Sequence, residues 1–120
     1  MIVEKIRKGI AVGATIPKPK ATADFVVKGW GRRRGEHALV YFIPNHRDPG
    51  RPYEKGITTS DFEKAFAELR LSGVFTRSWF NEHLQACAKE GACNYTTIGG
   101  VFNILGEAAY VRRGTYERRT

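Results

Sequence analysis

The chain has 120 residues, 42% hydrophobic and 27% charged, with twenty Lys and Arg against twelve Asp and Glu. That is enough apolar chain for one core of its own, which argues against a largely disordered tail and against several domains of ordinary size. The formal charge of +8 favours anionic partners, nucleic acid first among them.

The charge is unevenly placed. Residues 1–58 carry twelve basic and five acidic side chains, residues 59–107 four and six, and residues 108–120 four and one. An anion site is therefore expected on the flanks and not in the slightly acidic middle. The start, MIVEKIRKGIAVGA, is too charged for a secretory signal, and no later run approaches the roughly 18 apolar residues of a membrane span. A soluble cytoplasmic protein with no membrane partner is expected, and Cys87 and Cys93 suit a compartment that keeps thiols reduced.

Residues 1–22 read as an extended lead-in. Ile2, Val3 and Ile6 suit a short strand or a short helix, and Pro17 and Pro19 push the residues before them out of the helical region. Lys18 and Lys20 flank Pro19 and read as solvated, with a phosphate-grasping arm as the alternative. Residues 23–58 read as a basic β-hairpin followed by a long polar loop. Phe25 to Trp30 gives one strand and Ala38 to Ile43 the other, with GRRRGE between them and glycines available for positive φ. The loop runs from Asn45 to Gly56 and holds Pro49, Gly50 and Pro52.

From residue 59 the pattern turns helical. Ser60 and Glu63 fit a capping box, and Phe62, Ala65, Phe66 and Leu69 recur on one helical face until Gly73. Val74 and Phe75 leave room for a short strand. A second helix is expected from Thr76 to about Lys89, and a third from the Asn94–Thr97 region to Gly106. The end, AAYVRRGTYERR, reads as a small hairpin turning near Gly114.

This order of helix, short strand, two helices and basic hairpin resembles the winged helix-turn-helix family of nucleic-acid-binding domains over residues 60–119, and LGEAAYVRRGTY carries the strongest local match. The implied architecture is one α+β domain: an N-terminal basic β-hairpin packed on a three-helix winged-helix-like unit with a C-terminal hairpin. The implied function is that of a non-enzymatic DNA-binding regulator or accessory factor. By the resemblance, the third helix presents Thr96, Thr97 and Asn103 on its open face, with Thr97 and Asn103 able to reach bases, and Arg112, Arg113, Arg118 and Arg119 lie on or near the wing. That helix has no Lys or Arg and carries Gly99 and Gly100 inside it, a departure that points to close packing or to close approach of a ligand. Arg32, Arg33 and Arg34 form a clamp with the wing if the two tips share a face, with Lys28 and Trp30 adding charge and a stacking surface.

Two other readings are set against this one. A protein-interaction module, homodimeric in one version, would use Tyr53, Tyr110 or Tyr116 as exposed aromatics. A small metal-dependent nuclease would use Asp48, Glu54 and Lys55, with Glu36 upstream. His83, Cys87 and Cys93 have the spacing to begin a zinc site but lack an evident fourth ligand. There is no P-loop and no dinucleotide fingerprint, so no cofactor is expected.

Overall fold

Eight residues that the sequence left open between strand and helix, Ile2–Gly9, form helix α1 in the computed structural model, which describes residues 1–20 and 23–119. Ile2 and Ile6 stand one turn apart and are both buried, which fixes the helix against the core. The lead-in is thus only partly extended. After α1 the chain adds a two-residue strand β1 (Thr15–Ile16), while Ala21 and Thr22 fall outside the described residues.

Strands β2 (Phe25–Arg33) and β3 (Glu36–Ile43) form the expected hairpin. Its turn is Arg34–Gly35, with φ of 51° and 75°, the two left-handed residues of a tight hairpin connection. The expected polar loop is shorter than its composition implies, because Tyr53–Thr58 forms strand β4. That strand pairs Tyr53 with Ile43 and Thr58 with Ala38, and the antiparallel order is β1-β2-β3-β4. Its pattern is hard to see because Tyr53 and Glu54 are exposed and Gly56 occupies a buried position under the Arg33 side chain.

The cap of helix α2 (Thr59–Ser72) lies two residues before the expected one, at Thr58 instead of Ser60. Thr58 accepts from the Asp61 N–H and Asp61 accepts from the Thr58 N–H, so the capping box is Thr58–Asp61. Ser60 is instead held from across the sheet, donating its backbone N–H and hydroxyl to Glu36. Gly73, at φ 81°, closes the helix.

Strand β5 (Val74–Thr76) leads into α3 (Arg77–His83) and α4 (Gln85–Glu90), so the second helix is interrupted at the buried Leu84. Then follow α5 (Asn94–Ile104), β6 (Ala108–Arg112) and β7 (Thr115–Arg118). The last three strands form a second antiparallel sheet of order β5-β7-β6.

One continuous core joins both sheets. Phe75 of β5 stands at its centre, its ring centroid 4.9 Å from that of Tyr95 and 6.2 Å from that of Phe102. The radius of gyration, 13.3 Å, is that of one close-packed domain of this length. Among the described residues no helix is long and apolar enough to cross a membrane.

Candidate nucleic-acid interface

Helix α5 is an interior element. Tyr95 and every residue from Thr97 to Phe102 are buried, and the helix packs against β1, β4 and β6. Gly99 and Gly100 make this possible. A methyl group on Gly100 would meet the Pro17 carbonyl oxygen at 2.6 Å and Ile16 Cγ2 at 2.7 Å, and one on Gly99 would run into the Tyr116 ring. The paired glycines therefore serve packing. The expected open face of this helix is corrected accordingly: Thr97 is fully buried and faces Lys18, and Asn103 is half-buried with its Nδ2 on the Ala108 carbonyl, 3.1 Å away.

The Lys18 side chain crosses from the proline segment to the start of α5. Its Nζ donates to the Cys93 carbonyl at 2.9 Å, to Thr96 Oγ1 at 2.9 Å and to Thr97 Oγ1 at 2.6 Å, and it sits 4.4 Å from the centroid of the Phe25 ring. These three acceptors are all uncharged. Burial therefore dominates and lowers the Lys18 pKa from 10.5 to about 7; the Cys93 thiol opposes this and the Arg77 guanidinium adds to it. Nearby, Tyr41 donates to Asn94 Oδ1 at 2.5 Å and lies 3.3 Å from Cys93 Sγ, and burial pushes its phenol upward. Lys18 is thus a built-in part of the fold and not a solvated lead-in residue.

In front of Lys18 lies a cleft of about 800 Å³. Its basic wall is Lys18, Lys20, His46, Arg77 and Arg113 of the β6–β7 turn, and its aromatic wall is Phe25, Tyr95 and Tyr110. No Asp or Glu lines it among the described residues. Arg77 is fixed there, with Nη1 on the Ala92 carbonyl at 3.0 Å and its guanidinium 4.6 Å from the Tyr95 ring centroid, while its backbone N–H bonds the Gly114 carbonyl of the β6–β7 turn.

The expected contact residues divide into two groups. Arg112 and Arg113 are exposed at the β6–β7 turn and form no ion pair among the described residues. Arg118 and Arg119 are also exposed, although Arg118 Nη1 bonds the Arg70 carbonyl at the end of α2. The hairpin set is committed elsewhere. Arg34 pairs with Asp61 at 2.5 Å and with Glu90 at 3.3 Å. Lys28 pairs with Glu54 at 2.9 Å, which Arg33 approaches at 4.0 Å, and Arg32 Nη2 folds back onto the Gly35 carbonyl at 2.8 Å. Trp30 is capped by the Arg7 guanidinium at 4.1 Å and offers no stacking face on that side. Moreover, the hairpin end that borders the cleft is the one with Phe25 and Ile43, opposite the arginine turn. The cleft therefore joins the β6–β7 turn to the open end of the β2–β3 hairpin.

Of the aromatics expected at a protein interface, Tyr53 and Tyr110 are exposed and Tyr116 is buried. The acids Glu36, Glu54 and Asp48 are engaged separately, with Ser60, Lys28 and Arg51 respectively, and among the described residues no three His, Cys, Asp or Glu side chains gather as a metal-holding group. Cys87 is a buried free thiol whose pKa burial pushes upward, and Cys93 is a free thiol on the cleft wall. Sequence reasoning misses His46 and Arg77 and undervalues Lys18; the IPKPK segment is the signal, since prolines on both sides hold Lys18 extended. The chain matches no family model, and no curated protein or solved structure matches it.

Proposed function

We propose that this chain is a non-enzymatic DNA-binding protein that holds phosphate groups with its wing and the adjoining cleft. The observation that carries this reading is the cleft itself, with four Lys and Arg side chains, a histidine and, among the described residues, no Asp or Glu around about 800 Å³. Guanidinium groups suit phosphate oxygens through paired N–H donors, and Arg113 is exposed at the rim. The order α2, β5, α3, α4, α5, β6, β7, with β7 central in its sheet, supports the resemblance to winged helices. The burial of α5 removes the groove-reading helix from that comparison, so affinity comes from the backbone and base sequence matters little.

The test is binding of random-sequence duplex DNA across a salt series. Steep loss of affinity with salt is expected. Arg112→Ala/Arg113→Ala should weaken binding and flatten the log–log salt slope by roughly 2, about one for each phosphate that the variant no longer neutralises. Absence of binding at low salt overturns the proposal; an unchanged slope in the double variant removes the wing from it.

A further inference from the structure

The basic cleft has a neighbour. A second depression of about 270 Å³ shares Lys18, Pro19 and Tyr110 with it and is closed on the far side by Pro17, Gly100 and Asn103. Among the described residues this second depression contains no charged residue apart from the shared Lys18. A strongly basic compartment and a less charged one thus adjoin at Lys18, Pro19 and Tyr110. Tyr110 is 36% exposed, and its ring packs against Tyr116 at 5.3 Å with an interplanar angle of 66°, so it is braced from within the sheet while one part of it faces solvent. Asn103 has given one amide N–H to Ala108, and its Oδ1 accepts no hydrogen bond among the described residues.

We propose that the paired depressions take one nucleotide unit, the phosphate in the basic cleft against Lys20, Arg77 and Arg113 and the base on Tyr110, with its edge toward Asn103. The inference rests on the same phosphate-binding cleft as the DNA reading and adds a base site that duplex backbone binding does not need. Three features support it. The larger volume falls within the range of small-molecule sites. Among the described residues no Asp or Glu lines the cleft, where a carboxylate would repel phosphate. A braced aromatic ring beside a cationic groove is the arrangement on which unpaired bases stack. The same chemistry is presented by an unpaired strand and by a free nucleotide.

The test compares adenosine 5′-monophosphate, inorganic phosphate, a short oligodeoxyadenylate and its duplex form by calorimetric titration. Both adenine ligands should bind more tightly than inorganic phosphate. Tyr110→Leu should weaken both by roughly tenfold, the scale of one base–aromatic stack, and leave phosphate binding unchanged. Tyr110→Trp should restore them, which separates loss of stacking from loss of folding. Arg113→Ala should weaken all of these ligands. Tighter binding of the strand than of the mononucleotide assigns the site to unpaired DNA, and the reverse order assigns it to a free nucleotide. Equal affinity for phosphate and adenosine 5′-monophosphate, or indifference to Tyr110→Leu, overturns the base site while salt-dependent duplex binding leaves the DNA reading standing. Binding of the mononucleotide without binding of either the strand or the duplex overturns the DNA reading and leaves the base site standing.

Discussion

Lys18 shows how one side chain changes meaning between sequence and structure. In IPKPK it is a cation beside prolines; in the fold its amine is buried among uncharged acceptors, with its pKa lowered from 10.5 to about 7. The consequence for stability has a definite sign. Between about pH 7 and pH 10 the unfolded chain holds a proton on Lys18 that the folded chain has released, so the stability due to this residue rises with pH across that window. Relative to Lys18→Met, the wild type should gain roughly 1.4 kcal/mol per pH unit from neutral pH upward, and the gap should be flat in mildly acidic solution. Urea titrations of both proteins at several pH values check this; a gap that stays constant through the window means the amine keeps its proton in the fold. Arg34 is the second case at this scale. It takes positive φ without being glycine, and its ion pairs to Asp61 and Glu90 hold it there.

At the scale of elements, two features set how the pieces meet. The first is the start of α2, where Thr58 and Asp61 cap the helix while Asp61 also receives Arg34 from the hairpin turn. One carboxylate thus serves the helix end and the junction between hairpin and helix. Asp61→Ala should cost roughly 2 kcal/mol by removing the cap and the ion pair, seen as a lower urea midpoint at unchanged m-value. The second is the glycine pair of α5. Alanine normally gains about 1 kcal/mol over glycine inside a helix. At Gly100 the obstruction is the backbone of Pro17, which cannot rotate away, so Gly100→Ala should destabilise by about 1–3 kcal/mol despite its better propensity. Thermal unfolding decides the sign, and a stabilised variant would show that the β1 segment does not press on α5.

For the whole molecule, opposite charges tie the β2–β3 turn to α2 and α4, whereas Arg112 and Arg113 at the β6–β7 turn form no ion pair among the described residues, and no Asp or Glu among them lines the adjoining cleft. Arg34 of the first turn thus serves the fold, and Arg113 of the second lines the cleft. The salt series should show this directly. Arg32→Ala should change duplex affinity much less than Arg113→Ala, because only the second residue lines the cleft.

Local pattern was enough to place the β2–β3 hairpin, α2, the C-terminal β6–β7 hairpin and the presence of α5, because apolar period, glycine turns and capping residues act within a few positions of one another. It was not enough for β4, whose exposed Tyr53 and Glu54 hide the strand, or for the choice between two overlapping capping boxes, which Glu36 decides from another strand. The sequence by itself also determined that positive charge lies toward the two ends of the chain. Only the tertiary structure decided which of those charges remain available. The partner of Lys18 lies 79 residues away at Thr97, that of Arg34 27 residues away at Asp61, and the cleft exists only where the proline segment, the β2–β3 hairpin end, α3, α5 and the β6–β7 turn converge. Such pairings depend on how elements pack, and no short-range spacing encodes them.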